Sequence, residues 1–362
     1  MGGSQAGTFG RGDGGAAYRG CVHSDKGAVE RLATVLLDRL RGELGVPELA
    51  YRRHPSALSG GMFSSLYAFE LRPAPDGWTG SFVVRLVKPS EQVRLEVGLH
   101  EAASAAGFGT PRLLFWETDL ADLGLGCLVM ERLPSRTYVR GVEPWRFALD
   151  VPKLLGAWPR RFSHVLDALA RVDADEAMET LLRDGVPHDL ARPGRHLRAV
   201  SATLAEETSL AGVIDWLHDN RPAPPERLCL VHGDLWPGNV FMGNGGVRLI
   251  DWTRGGIDDP ALDVGFAKVG FALMPEPFPP PPPIRQLAAL AGRSIAARIS
   301  SHCNQLVGGA DRVRYYEALR CAVELADVVA ERASGARPGW EHGVPALVRH
   351  LEIITNGPIT FR

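Results

Sequence analysis

Along residues 28–44 the apolar positions Leu32, Val35, Leu36 and Leu40 recur at three- and four-residue steps, which places them on one face of a helix. The period then changes. Tyr67, Phe69 and Leu71 alternate with other residues, and 82–86 (FVVRL) is a short β-branched run, so both segments read as strands. A second helical stripe over 92–106 is formed by Leu95, Leu99, Ala102, Ala103 and Ala106. Residues 111–115 and 126–133 (GCLVMERL) read as further strands. From Pro134 onward the pattern is mainly helical: Phe162, Val165, Leu166, Leu169 and Val172 repeat over 160–172. More helix is expected within 173–220, where Asp173, Asp175, Glu176 and Glu179 read as a solvated face or helix start, and three Pro in 221–225 close that run. Two late helices, 284–306 and 311–332, follow; the second has Val313, Tyr316, Leu319, Val323, Ala326 and Val329 as its apolar face. Strands come first and helices afterwards, which predicts an α+β fold.

One stretch breaks this order. Residues 228–252 read LCLVHGDLWPGNVFMGNGGVRLIDW. An apolar strand ends abruptly in His232-Gly233-Asp234, and Pro237-Gly238 forces a tight loop before Asn239. Gly243-Asn244-Gly245-Gly246 is a hairpin turn signal, and the strand that follows delivers Asp251 at its end. Two carboxylates and one carboxamide are thus carried at the ends of short, stiff strands. Oxygen ligands of this kind suit Mg²⁺, which takes one or two carboxylates together with substrate phosphates.

The order H-G-D-x-x-x-x-N, hairpin, apolar strand and Asp-aromatic resembles the core of the kinase-like phosphotransferases. In its His-Gly-Asp and Asp-Trp form it is similar to the aminoglycoside phosphotransferase and choline kinase family. The segment 253–266 (TRGGIDDPALDVGF) adds Asp259-Pro260 and Asp263-Val264, although Asp258 stands where that family usually has Gly. The resemblance covers about 50–330. It implies a bilobal protein-kinase-like fold, with a small antiparallel-sheet lobe around one central helix and a mostly helical large lobe. The expected division is a Gly-rich disordered tail over 1–27, a nucleotide-binding small lobe over 28–133, and a large lobe over 134–362 with the catalytic loop and substrate helices.

The resemblance also implies roles. Asp234 would be the base toward an acceptor hydroxyl, Asn239 and Asp251 would hold Mg²⁺, and His232 would brace the loop. Asp263 would accept backbone N–H groups of that loop. The turn at 58–67, with Ser59, Gly60, Gly61 and Ser64, would lie over the phosphates of ATP or GTP. The cation of the next strand is Arg85 or Lys88, and alternation along the strand favours Arg85. A guanidinium there is a planar fork where kinases carry the point charge of Lys. Its carboxylate partner is Glu96 or Glu101. Backbone groups from Glu131 to Leu133 would meet the base edge, with Met130 nearby. The expected activity is phosphoryl transfer from nucleotide to a small-molecule hydroxyl, on an antibiotic, sugar or metabolite. The alternatives are a silent nucleotide-binding pseudokinase and a kinase acting on protein.

Composition narrows the partners. A net charge of −2 in 362 residues argues against nucleic acid or an anionic membrane as the main partner. No apolar run reaches the ~18 residues of a membrane span. Five scattered Cys without C-x-x-C spacing fit free thiols in a reducing cytoplasm. Residues 274–283 (MPEPFPPPPP) read as a stiff connector. There is no P-loop, H-E-x-x-H or G-x-S-x-G, so the rival enzyme classes lack their motifs. Residues 271–362 hold ten Arg against eight Asp and Glu, so no acidic pocket for a polycation is evident. A monomer and a homodimer are both compatible with the sequence.

Overall fold

The computed structural model describes residues 26–58, 65–87, 90–120, 123–133, 136–139, 144–243, 246–273, 282–335 and 339–361. It opens with α1 (Lys26–Leu44), β1 (Ala50–Ala57), β2 (Ser65–Arg72), β3 (Phe82–Val87), α2 (Ser90–Ala105), β4 (Leu113–Leu120) and β5 (Leu125–Glu131). The five strands form one antiparallel sheet in the order β1-β2-β3-β5-β4. Leu32, Leu36 and Leu40 of α1 are buried with Tyr51, Phe69 and Phe82 of the sheet, so the periodicity of the first helix has its partner. Apart from Arg85, central β3 is apolar and nearly all buried, as a strand covered on both sides must be.

The chain continues through β6 (Arg136–Thr137), α3 (Pro144–Gly156), α4 (Trp158–Leu169), α5 (Ala174–Arg183), α6 (His188–Ala191), α7 (Arg195–Thr203) and α8 (Ala211–Asp219). Then come β7 (Cys229–Val231), β8 (Val240–Gly243), β9 (Gly246–Leu249) and β10 (Gly256–Asp258). The helices α9 (Ala261–Ala272), α10 (Pro282–Cys303), α11 (Ala310–Ala333) and α12 (Val344–Thr355) complete the described chain. This is the expected bilobal α+β architecture, a five-stranded sheet with its helix followed by a mostly helical remainder.

α2 sits between the lobes. Its Val93 and Val97 pack with Val87, Leu128 and Met130 against the sheet, while Leu95, Leu99, Ala102 and Ala103 join the core of the helical lobe. Met130 is therefore a core residue. α9 is buried almost all round, including Leu262, Val264, Phe266, Val269 and Phe271. It needs Gly265, because a Cβ there would lie 2.6 Å from Tyr316 Cβ on α11.

Some expectations are corrected. The strand expected at 111–115 runs from Leu113 to Leu120, because register shifts between Leu113 and Phe115 and between Glu117 and Leu120 interrupt its alternation. β1 carries Arg52, Arg53 and His54 as exposed residues, and such an edge strand shows no two-period apolar signal. Asp173 does cap α5, accepting from the N–H groups of Asp175 and Glu176. No helix among the described residues is long and apolar enough to cross a membrane.

Candidate active site

The apolar run Cys229 to Val231 pairs with β10, and the chain then turns at Gly233. Gly233 has φ +71°, and a Cβ there would meet the Arg254 carbonyl at 2.0 Å, so only glycine fits. The turn is held by Asp263 in the first turn of α9. Its Oδ2 accepts from His232 N–H at 2.9 Å and its Oδ1 from Gly233 N–H at 2.7 Å. His232 is fully buried and sits 4.8 Å, centroid to centroid, from the Trp252 ring. Its Nδ1 accepts from Asp234 N–H at 3.3 Å, and its Nε2 donates to the Ile250 carbonyl at 3.0 Å, a pattern the Nε2–H tautomer satisfies at both nitrogens.

Asp234 projects from this turn and is partly exposed. Asn239, in the short helical turn Pro237–Asn239, donates Nδ2–H to the Asp234 carbonyl at 2.9 Å and to Asp234 Oδ2 at 3.0 Å. Both bonds use the Asn239 amide nitrogen rather than its oxygen. Ile250 N–H donates to the Asn239 carbonyl at 3.0 Å, so the residue before Asp251 is tied to Asn239.

Asp251 has φ +67° and ψ +68°, a left-handed conformation that L-residues other than Asn and Asp rarely adopt. Its Oδ1 lies 2.8 Å from Arg85 Nη2 and accepts from Thr253 Oγ1–H at 2.5 Å. Burial alone would raise this carboxyl, but the Arg85 guanidinium and the Thr253 hydroxyl outweigh it and hold it at about 2. Arg85, on β3, also pairs with Glu96 of α2 at 3.1 Å, an ion pair off hydrogen-bond alignment. Both side chains are buried. Burial lifts Glu96 to about 7 even though Arg85 opposes the shift. Gln92 Nε2–H donates to the Thr253 carbonyl at 2.6 Å, a second strap between the small lobe and the Asp251 turn.

The structure thus brings Asp234, His232 and Asn239 onto one loop, and joins Arg85, Glu96 and Asp251 in one ion-pair chain. Glu101 is exposed beside Asp184, away from Arg85, because α2 turns Glu96 and not Glu101 toward the sheet. Ser59, Gly60, Gly61, Ser64 and Lys88 lie outside the described residues. At the end of β5 the Glu131 N–H donates to the Arg112 carbonyl and the Arg132 N–H to the Ser81 carbonyl. The Glu131 carboxylate meets Arg248 at 2.6 Å. Leu133 follows directly.

Four charged residues of this neighbourhood are not evident from the sequence pattern. Arg254 pairs with Asp327 at 2.5 Å and with Glu324 at 3.5 Å, and Arg320 pairs with Glu324 at 2.7 Å. Arg320 also approaches Asp234 at 3.5 Å. The Arg320–Glu324 spacing of four is a one-turn helical pair, the only local signal that could have found them. Among the described residues no cluster of three His, Cys, Asp or Glu is placed to hold a metal by itself.

A family model described as the phosphotransferase enzyme family matches residues 67–298. No curated protein matches the sequence. Among solved structures, a thermostable mutant of the aminoglycoside phosphotransferase APH(4)-Ia in ternary complex with ADP and hygromycin B is similar, with 18% identity and a TM-score of 0.53, covering 89% of this chain and 98% of that one. A Ralstonia eutropha protein described as an aminoglycoside phosphotransferase shares 16% identity with a TM-score of 0.54, over 89% of this chain and 98% of that one. A type I macrolide 2'-phosphotransferase shares 14% identity with a TM-score of 0.51, over 94% of this chain and all of that one.

Proposed function

The chain belongs to the phosphotransferase enzyme family, and from that premise we propose that it transfers the γ-phosphoryl group of ATP to a hydroxyl of a small molecule. As a member of that family it is a phosphotransferase with an alcohol group as acceptor. The observation that carries the proposal is the loop in which Asn239 holds Asp234 Oδ2 at 3.0 Å while its backbone carbonyl is tied to Ile250, the residue before Asp251. Asp234 is then the group that takes the acceptor proton, and positioning with charge neutralisation supplies the rest of the catalysis.

The donor set fits Mg²⁺. Asp251 is held ionised, only its Oδ1 is engaged, and Asn239 adds a neutral oxygen. Two protein oxygens fall short of a full cage, as suits a cation that is shared with nucleotide phosphates. Bound there, Mg²⁺ would neutralise phosphate charge. Arg85, anchored by Glu96, is the small-lobe cation for the same phosphates. Ser59, Gly60, Gly61 and Ser64 are proposed to cover them, and the backbone of Leu133, free of the two bonds at Glu131 and Arg132, to meet the base. The ADP and hygromycin B bound by one relative and the macrolide named in another support an adenine nucleotide donor and a hydroxylated acceptor of that general class. The balance of Arg over acids in 271–362 favours a neutral or singly charged acceptor over a polycation.

The test is ADP release with mass analysis of product across aminoglycosides, macrolides, sugars and hydroxylated metabolites. An acceptor should be phosphorylated, and Asp234→Asn should lose at least about a hundredfold in turnover while still binding nucleotide. Nucleotide binding with no acceptor phosphorylated, or full activity in Asp234→Asn, would overturn the reading.

A further inference from the structure

Arg320 reaches the base from a helix 86 positions away. Its Nη2 lies 3.5 Å from Asp234 Oδ1, and its Nη1 donates to the Gly233 carbonyl at 3.3 Å. The side chain is only 8% exposed and is fixed from two further sides. Glu324, fully buried one turn on, lies 2.7 Å away, and the Phe266 ring lies 5.1 Å beneath the guanidinium carbon.

A buried Arg–Glu pair is a weak device for stability, because apolar residues of the same volume do as well or better. Its placement therefore asks for another account, and the base supplies one. Asp234 Oδ2 is held at 3.0 Å by Asn239, while Oδ1 faces Arg320 at the looser 3.5 Å. The carboxylate is gripped from both sides, and Oδ1 is the oxygen left to receive a proton from an acceptor hydroxyl. Resting on the phosphotransferase reading, we infer that Arg320 is a positioning residue for the base, with Glu324 as its anchor. The guanidinium fork spans the Gly233 carbonyl and the Asp234 carboxylate, fixing the direction of Oδ1. Lysine carries the charge but cannot span both sites.

The experiment compares Arg320→Lys with the double variant Arg320→Met/Glu324→Gln. The double variant removes both buried charges together, and Arg254 retains Asp327 as its partner. Both should lose about tenfold or more in turnover, as a misplaced base does, with the KM for ATP within about twofold and the thermal midpoint close to the parent's. A purely structural role would move the midpoint and leave turnover per folded molecule unchanged. Crystal structures of the parent and of Arg320→Lys give a readout that needs no acceptor: the Asp234 carboxylate should rotate from its parental position in the variant. Parental turnover in both variants, or an Asp234 carboxylate unmoved in Arg320→Lys, would overturn the proposal. A parent that binds nucleotide yet phosphorylates nothing would count against the phosphotransferase reading, with the crystallographic comparison still deciding the role of Arg320.

Discussion

Replacing Asp263 with alanine tests how the catalytic loop is held. The carboxylate is 1% exposed and takes the N–H groups of His232 and Gly233, both of which are themselves buried. Without the side chain both buried donors lose this acceptor. A hydrogen bond to a charged acceptor contributes about 1.5–3 kcal/mol, so the two together give about 3–6 kcal/mol. Burial works in the other direction, raising the Asp263 carboxyl against the pull of His232 and the two N–H groups. The net loss is therefore expected near the lower end, about 3 kcal/mol, a large part of the stability of an ordinary protein. Urea unfolding at neutral pH measures it as a fall in midpoint with unchanged slope. Asp263→Asn keeps one acceptor but turns an NH₂ toward the second donor, so it should recover less than half of the loss. Turnover should fall in both variants while ATP affinity holds, since neither Arg85 nor Asp251 leans on this carboxylate. A loss below about 1 kcal/mol in Asp263→Ala, the level of a single ordinary neutral bond, would refute the reasoning.

Two further expectations follow from the ion-pair chain. Asp251→Asn keeps the left-handed turn, which Asn tolerates, but removes a charged ligand, so calorimetry should show Mg²⁺-dependent nucleotide binding lost; unchanged affinity would contradict the assignment. Glu96 titrates at about 7 in the folded protein against 4.5 for an unperturbed glutamate. The folded state then holds its proton longer, and stability falls as pH rises through that interval, by about 3 kcal/mol in all. Glu96→Gln should flatten that slope between about pH 5 and pH 8, and parallel stability curves for parent and variant would rule the linkage out.

Much of the site could be read from the chain because it is local. His232, Asp234, Asn239 and Asp251 fall within twenty residues, and the glycine turn between β8 and β9 announces the hairpin that folds them together. Strand alternation singled out Arg85, whose side chain is buried between Glu96 and Asp251. The failures are of the opposite kind. The sequence pattern of α11 predicts a helix with one apolar face, yet Glu317, Arg320 and Glu324 are buried as well. In one dimension a second buried face made of paired charges looks like a solvated one, because most of its partners, Lys268, His350, Asp234 and Arg254, lie on other elements. β4 was misplaced for a simpler reason, as register shifts break the alternation by which a strand is recognised.

Gly233 gives its N–H to α9 through Asp263 and its carbonyl to α11 through Arg320, and at Gly265 those two helices meet almost backbone to backbone. Loops ordinarily sample open states far more often than the core they decorate. Here the turn can open only by breaking bonds to a helix pair that lies at the centre of the helical lobe. Its amide protons are therefore tied to the exchange behaviour of that core rather than to the solvent-facing surface, and the turn belongs to the same cooperative unit as α9 and α11.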